Sequence, residues 1–377
     1  MGLVSVVLFF AILLTYLDDK GKMKNGMVIA FGAIIVFFSL RYNYGNDFTN
    51  YQSKYFSICK LGFDLSRIED EIGVEVGWAI FNLCFKYTGF QTLIFVHTLI
   101  INIIFYSLIK KYVVKGWRWY AVMFYLFNTN IFLINLSMLR QGLASALVIY
   151  AFFMSYEKKY LKALIFFLLS YSFHKTALLM APFILLLPFA NHIKMKPIIA
   201  IVVLVLVALF YMPGPDTFVI DFLLNSDFLP QEYDHYMVTA EAYEKGTGIG
   251  IMISVICALF GLYGLRYKLF LDKMFVLLFI TSLVFIPLSF VLVMILRLSY
   301  YFLTFGIFLF PRLYSNTCYA SQTVYANIPI QHKKRLKLLN RVSIGLNSLY
   351  LVYGYYAFFY SETYGPYYSD FHFATLF

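Results

Sequence analysis

The stretch RQGLASALVIYAFFMSYEKKYLKALIFFLLSYSFHKT, residues 140–176, decides the fold class of this chain. It holds two apolar runs, Gly142 to Tyr156 and Leu161 to Phe173, joined by a short segment rich in lysine. Arg140-Gln141 and His174-Lys175 bracket the two runs. Ionisable groups at the edge of a membrane are costly and are usually kept for a function. The stretch therefore predicts a membrane hairpin whose two open ends carry the first candidates for chemistry.

The composition of the whole chain indicates the same class. Of its 377 residues, 62% are hydrophobic and 13% are charged, and the mean hydropathy is +0.76. This leaves too little polar surface to cover a soluble globule of that length. The sequence predicts an all-α integral membrane protein that folds as a single domain over residues 1–377.

The apolar stretches predict a polytopic bundle of about twelve transmembrane helices, several of them shorter than the roughly 20 residues that a span needs. They are Gly2 to Leu17, Met27 to Leu40, Gln91 to Ile109, Trp119 to Leu136, Gly142 to Tyr156, Leu161 to Phe173, Thr176 to Phe189, Ile198 to Met212, Ile249 to Leu265, Met274 to Leu296, Leu298 to Phe310 and Val342 to Tyr360. The first carries no basic flank or cleavage site and is predicted to be retained.

Loop charges predict the orientation of this bundle. With both termini outside, most of the 30 Lys and Arg residues fall in the inner loops and most of the 19 Asp and Glu residues fall outside, as the positive-inside rule requires. The net charge of +11 is then a topology signal and not a nucleic-acid footprint. Two larger outer segments, 41–90 and 213–248, and one inner loop, 314–341, interrupt the spans.

No motif for a metal or a nucleotide accompanies these segments. The four cysteines have no zinc spacing, although Cys59 and Cys84 share the outer side where a disulfide is an open alternative. No Gly-rich phosphate loop is present. An enzyme working outside the cell without nucleotide-sugars needs a substrate that arrives already activated, most simply on a lipid carrier.

The first candidate site begins at Arg41 and runs through Gly45 and Asp47 into the first outer segment. A guanidinium holds two phosphate oxygens at once, and a carboxylate orients or deprotonates a hydroxyl. The alternative is a snorkelling Arg in an interfacial aromatic belt.

The second candidate is Arg140 with Gln141, for which Ser137 is a candidate N-cap. If a helix starts here, its first-turn amides reinforce Arg140 as an anion site of the kind used for phosphate. A packing helix with an outward Arg is the alternative.

The third and fourth candidates are His174-Lys175 and Arg297 with Tyr300 and Tyr301. An imidazole such as that of His174 is the kind of side chain suited to proton transfer near neutrality. Three arginines from separate spans that converge on one face are suited to clamping a diphosphate. Arg140 and Arg297 are predicted to bind it, Arg41 to bind it or a second lipid carrier, and either His174 or Asp47 to take the acceptor proton.

Six motifs in order resemble the EpsG-type, Wzy-like polysaccharide polymerases along almost the whole chain. They are R-x3-G-x-D-x3-Y (Arg41, Gly45, Asp47, Tyr51), E-x-G-W (Glu75, Gly77, Trp78), R-Q-G-L-A (Arg140 to Ala144), F-H-K-T-A-L (Phe173 to Leu178), R-x2-Y-Y (Arg297, Tyr300, Tyr301) and a terminal Tyr-Gly-Pro-Tyr (Tyr364 to Tyr367). The first motif reads Gly-Asn-Asp where Gly-Thr-Asp is expected.

The resemblance implies a helical glycosyltransferase of the C type on the outer face of the bacterial cytoplasmic membrane. Such proteins join undecaprenyl-diphosphate-linked repeat units, donor to acceptor, without metal, nucleotide or other cofactor. Membrane lipid is an expected partner, nucleic acid is not, and a chain-length regulator is left open. Lys175 is expected to add positive charge, and Gln141 to hydrogen-bond sugar or phosphate.

Two other classes stay open at this point. A flippase for the same lipid-linked oligosaccharide has a similar number of spans, but a transporter places its charges around a midplane cavity. A membrane O-acyltransferase also uses a His, but it draws an acyl donor from the cytoplasm, and no inner histidine pocket is visible. Charges at one face favour the polymerase.

Overall fold

A computed structural model describes residues 1–188, 252–253, 255–256, 270–288, 294–319 and 330–374 of the chain, and these residues are mostly helical. Internal contacts divide the chain into two compact units, residues 1–189 with 352–377 and residues 190–351. The single membrane domain over residues 1–377 stays a prediction.

The first unit begins with α1 (Gly2–Asp19) and α2 (Gly26–Ser39) and continues with α3 (Phe48–Leu61), α4 (Leu65–Ile72), α5 (Val76–Cys84), α6 (Phe90–Tyr112), α7 (Arg118–Phe127), α8 (Leu133–Ser137), α9 (Leu139–Tyr156), α10 (Tyr160–Phe173), a 3-10 helix (Lys175–Met180) and α11 (Ala181–Leu186). Later helices are α12 (Phe270–Leu288), α13 (Met294–Leu303), α14 (Gly306–Tyr319), α15 (Ile330–Tyr360) and α16 (Gly365–Tyr368). Strands β1 (Arg41–Tyr42) and β2 (His372–Phe373) pair antiparallel, with Arg41 opposite Phe373.

The helix ends of the first unit sort into two layers. In one, which we call the site layer, the Met1 ammonium donates to the Ser369 carbonyl, and the Gly45 amide donates to Tyr367 O (3.0 Å). In the opposite layer, Asp19 accepts the amides of Gly116 (3.0 Å) and Trp119 (2.9 Å). Since α1, α2, α6, α9 and α10 pack side by side, this sorting agrees with a chain that crosses a layer repeatedly.

Apolar side chains face outward along these helices. Phe9 on α1 is 60% exposed and Leu161 on α10 is 72% exposed, and two helices among the described residues, Gly2–Asp19 and Phe90–Tyr112, have the length and composition of membrane spans. A soluble protein rarely leaves so much apolar surface in water. The surface of the first unit is suited to lipid, while the number of spans stays a prediction.

The predicted span Trp119 to Leu136 is not one continuous helix. Helix α7 ends at Phe127, and a turn leads into the five-residue α8. The reason is the polar tripeptide Asn128-Thr129-Asn130, because Asn and Thr side chains compete for the backbone groups that a helix needs. Asn128 and Thr129 are nevertheless buried, and irregular backbone at membrane depth is tolerated where protein surrounds it.

Later boundaries also differ from the predictions. Arg297 lies inside α13 and not between two spans, so the predicted break at residue 297 is wrong. The run from Thr176 begins in a 3-10 helix. The inner loop 314–341 is helical up to Tyr319 and again from Ile330, since α14 and α15 extend beyond their apolar cores. The predicted span Ile198 to Met212, the outer segment 213–248 and most of the span Ile249 to Leu265 lie outside the described residues.

The second unit has an aromatic core of its own. The ring of Phe275 on α12 stacks on Phe308 of α14 with a centroid distance of 5.8 Å. The Tyr314 hydroxyl donates to the Ser343 carbonyl (3.2 Å) and so links α14 to α15. Buried rings and hydrogen bonds between helices thus hold three of its helices together.

Candidate active site

One carboxylate, Glu75, joins the two open ends of the α9–α10 hairpin. Its Oε2 accepts a hydrogen bond from Arg140 Nη1 at 2.6 Å, and its Oε1 lies 3.0 Å from His174 Nδ1. The Lys175 amide also donates to Oε1, at 3.3 Å. The structure thus brings Arg140, His174 and Lys175 into one cluster around Glu75, which we call the Glu75 cluster.

The ionisation of Glu75 determines which nitrogen of His174 carries a proton. Burial raises the pKa of Glu75, but the His174 hydrogen bond and the Arg140 charge outweigh burial and lower this pKa to about 2. The carboxylate is therefore ionised at neutral pH and only accepts hydrogen bonds, so Nδ1 of His174 must be the donor. A neutral His174 then keeps the lone pair on Nε2, the nitrogen that can take a proton.

This lowered pKa predicts a pH dependence of stability. A carboxyl whose pKa falls on folding stabilises the fold above its ordinary value of 4.5, and the contribution is lost as the pH falls towards 2. Wild type is expected to lose about 3 kcal/mol more than Glu75→Gln over that range. Unfolding in detergent at a series of pH values measures the difference. Glu71→Gln, which removes a carboxylate from an exposed helical pair, is the control, and identical curves for Glu75→Gln and wild type would contradict the assignment.

Helix α3 supplies a second wall of the cluster. Tyr51 is buried, and its hydroxyl lies beside the Arg140 guanidinium, whose charge partly offsets the rise that burial causes in the pKa of Tyr51. Burial and the Arg140 charge lower the pKa of Lys54, and the nearby Glu75 and Asp47 carboxylates oppose this. Asp47, Tyr51 and Lys54 thus face the cluster from one side of α3.

Close backbone approaches hold these elements in place. A Cβ added to Gly77 on α5 would lie 2.3 Å from Ser172 Oγ on α10, and one added to Gly142 on α9 would lie 2.4 Å from the Asn135 carbonyl. Only glycine allows such approaches. In addition, the buried Trp78 ring meets Tyr51 edge-on at 5.5 Å. Gly77 and Gly142 therefore serve helix packing. The close packing of α5 against α10 at Gly77 places Glu75 next to His174.

The predicted N-cap role of Ser137 is wrong. Helix α9 begins at Leu139 after Met138, which makes no side-chain cap. The Ser137 hydroxyl instead accepts the Asp47 amide at 3.0 Å and donates to Asn46 Oδ1 at 3.0 Å. Ser137 thus ties the first outer segment to the start of α9, and Arg140 still lies in the first turn of a helix.

Arg41 has a different setting from Arg140. Its side chain is 0% exposed and donates to the Phe38 carbonyl, to Thr98 Oγ1 (2.8 Å) and to the Leu136 carbonyl (3.1 Å). These acceptors belong to the ends of α2 and α8 and to α6. A guanidinium used in this way ties three elements together, which favours a structural role over contact with a lipid headgroup.

The remaining predicted site residues, beyond those of the Glu75 cluster, are Gln141, Arg297, Tyr300 and Tyr301. Gln141 is buried within α9. Arg297 on α13 is exposed, whereas Tyr300 and Tyr301 are buried. These three belong to the unit of residues 190–351, and their convergence with Arg140 stays a prediction. Among the residues that the structure describes, Cys59 and Cys84 are free thiols, so the alternative of a disulfide between them is wrong.

Sequence reasoning did not assign Glu75, Tyr51 or Lys54 to the site. Glu75 and Tyr51 appeared only as members of the motifs that carried the family resemblance, and Lys54 in none. A carboxylate in the short segment between α4 and α5 has no local signal for function. Its partners are 65 and 99 residues away, and only the packing of α5 against α10 brings them together.

The fold and the cluster define a helical membrane protein with a charged site at one layer of its helix ends. The chain belongs to the EpsG family, whose model matches residues 25–331, and this family is associated with exopolysaccharide biosynthesis. No curated protein and no solved structure matches the chain.

Proposed function

We propose that this protein polymerises undecaprenyl-diphosphate-linked oligosaccharide repeat units into an exopolysaccharide on the outer face of the bacterial cytoplasmic membrane. Membership of the EpsG family supports the pathway. The observation that carries the chemistry is the Glu75 carboxylate, which contacts Arg140 with one oxygen and His174 with the other. An oriented base and a cation for a leaving group thus lie side by side.

In this reaction a hydroxyl of the acceptor sugar attacks the anomeric carbon of the donor glycan. The carbon–oxygen bond to the diphosphate breaks, and undecaprenyl diphosphate leaves with the bonding electrons. The hydroxyl proton passes to His174 Nε2 and is later released to water. The leaving group is already a diphosphate, so the tasks of the protein are to neutralise its charge and to deprotonate the acceptor.

The geometry favours His174 over Asp47 as the base. A carboxylate that holds Nδ1–H of an imidazole sets its tautomer and stabilises the imidazolium that forms, as in the dyads of hydrolytic enzymes. Glu75 stands in this relation to His174. Asp47 immediately precedes α3 and shares the electrostatic environment of Tyr51 and Lys54, so we assign it to the binding of the acceptor.

We assign the diphosphate to Arg140, whose planar guanidinium can contact two phosphate oxygens. Lys175 and Gln141 are further proposed substrate ligands of the first unit. Arg297, Tyr300 and Tyr301 remain proposed ligands in the second unit. Arg41 we assign to holding α2, α6 and α8 together. The chemistry proposed for these residues requires no metal, nucleotide or other cofactor.

We propose that the site layer faces the outside of the cell and that the chain crosses the membrane about twelve times, as the distribution of charged residues predicts. The opposite layer carries the basic residues expected at the cytoplasmic side: Lys111 and Lys159 both pair with Glu157 there. The site layer carries the carboxylates of the first outer segment. This charge distribution supports an exit of the product away from the cytoplasm.

Reconstitution tests the proposal directly. Purified protein in proteoliposomes, supplied with lipid-linked repeat unit from its own bacterium, is expected to give a ladder of polymers without added metal or nucleotide. Transfer of the lipid-linked unit across the bilayer without a ladder would identify a flippase instead, and acylation of the glycan would identify an acyltransferase. Either outcome replaces the polymerase function.

A further inference from the structure

A second recess lies in the site layer on the far side of α3 from the Glu75 cluster. It is an open groove of about 670 Å³, lined by Tyr42, Gln52, Phe56, Thr88, Gln91 and Phe95 among others. Its residues come from the end of α2, from β1, from α3 and from the start of α6, and it belongs entirely to the first unit.

The two recesses share one helix. On an α-helix with 3.6 residues per turn, Gln52 and Phe56 point about 150° away from Asp47, Tyr51 and Lys54. One face of α3 therefore serves the charged cluster and the opposite face serves the groove. A ligand that occupies both must pass around α3, a helix about 10 Å in diameter.

The chemistry of the groove differs from that of the cluster. None of its lining residues is charged, so it offers nothing to a phosphate or to an ionic headgroup. Three aromatic rings are available for contact, since Tyr42 is 47%, Phe56 60% and Phe95 42% exposed. Such rings pack against the apolar C–H faces of sugars.

Hydrogen-bonding groups stand between these rings. The Gln52 amide offers both donors and an acceptor. The Thr92 hydroxyl donates to the Thr88 carbonyl at 2.8 Å, which leaves its oxygen free to accept from another group. The Gln91 amide donates to the Ser39 and Arg41 carbonyls and so holds the wall between α2 and β1. Aromatic faces beside amides and hydroxyls match an uncharged oligosaccharide better than a hydrocarbon tail, which has no use for the polar groups.

We propose that this groove binds the glycan chain, several sugars away from the bond that is formed at Arg140 and His174. The occupant is a neutral or weakly charged oligosaccharide segment of the substrate. This inference rests on the proposed function. It assigns to the groove a role in retaining the growing chain between rounds of extension and hence in the length of the product.

Oligosaccharides released from the polymer of the same bacterium, free of lipid and diphosphate, are the probe. Saturation-transfer NMR with full-length protein in nanodiscs is expected to show binding that weakens about tenfold in Phe56→Ala and in Gln52→Ala. Phe63→Ala, which removes another exposed ring of the outer segment that does not line the groove, is the matched control and is expected to bind as wild type. In the extension assay, Phe56→Ala is expected to give shorter polymers than wild type and than Phe63→Ala.

The outcomes separate this inference from the polymerase function. If wild type forms a ladder but Phe56→Ala and Gln52→Ala match Phe63→Ala in binding and in product length, the groove proposal is overturned and the polymerase stands. Competition by undecaprenol, a lipid without sugar or phosphate, would show a lipid groove and also overturn it. If wild type forms no ladder, the polymerase function fails, and the NMR binding still decides whether the groove takes sugar. Thermal unfolding of each variant checks the fold.

Discussion

Replacing His174 with alanine is expected to lower the rate of chain extension by about 10²- to 10⁴-fold, the range typical for loss of a general base. The acceptor hydroxyl then has no group to take its proton, while Arg140 remains to bind the diphosphate of the donor. The measurement is the initial rate with saturating lipid-linked repeat unit in proteoliposomes. His372→Ala, which removes an exposed histidine of β2 in the same layer, is the matched control and is expected to retain the wild-type rate.

The substitution Glu75→Gln tests whether Glu75 orients His174 for proton transfer. An amide of the same shape loses the negative charge that fixes the Nδ1–H tautomer of His174 and stabilises the imidazolium. We expect a lower kcat, because the imidazolium that forms during the reaction loses its adjacent anion. A merely structural Glu75 would leave kcat in place.

A His174→Ala variant that extends chains at the wild-type rate would remove His174 from the mechanism and return Asp47 to the role of base.

Arg140→Ala is expected to lower kcat by about 10²- to 10³-fold, comparable to the loss of one preorganised donor at a developing negative charge. Arg140→Lys is expected to be intermediate. The lysine can still pair with Glu75, but a single ammonium cannot hold two phosphate oxygens in the fixed geometry of a guanidinium. A wild-type rate of polymerisation in Arg140→Lys would contradict a bidentate contact between Arg140 and the diphosphate.

Arg67→Lys supplies the control for this substitution. Arg67 lies on α4 in the same outer segment, and its side chain is 59% exposed in a surface pair with Glu71. Exposed pairs of this kind contribute little, so the variant is expected to behave as wild type in extension and in thermal unfolding. The Arg140 variants are also compared in unfolding, since loss of the Glu75 contact is expected to lower stability somewhat and must be distinguished from loss of catalysis.

Part of the site was predictable from local patterns. The hairpin of residues 140–176 brought Arg140 and His174 together because two apolar runs with a lysine-rich connection return to the same side. Helix α9 begins at Leu139, one residue before Arg140, the predicted anion site. This boundary was predictable because the apolar run of α9 is preceded directly by polar residues. Asn128-Thr129-Asn130 misled the span prediction, because a hydropathy pattern averages over three polar residues that break a helix.

Three features depended on contacts that no local pattern contains. Ser137 does not cap helix α9, because its hydroxyl accepts a hydrogen bond from the Asp47 amide. Arg41 looked like a surface phosphate ligand, yet carbonyls at the ends of α2 and α8 surround it. Glu75 entered the site because Gly77 lets α5 approach Ser172 of α10. Each outcome depends on distances of a few ångströms between segments far apart in the chain.

Hydropathy and charge are properties of each residue and sum along the chain. The residues alone therefore predicted a helical membrane protein, the approximate bounds of most apolar helices in the first unit, and the helix ends that carry charge. The packing of distant segments was needed to show that Glu75 is the common partner of Arg140 and His174 and that Arg41 is enclosed. Hydrogen bonds form at about 3 Å, and that precision is reached only when helices from distant segments pack against each other.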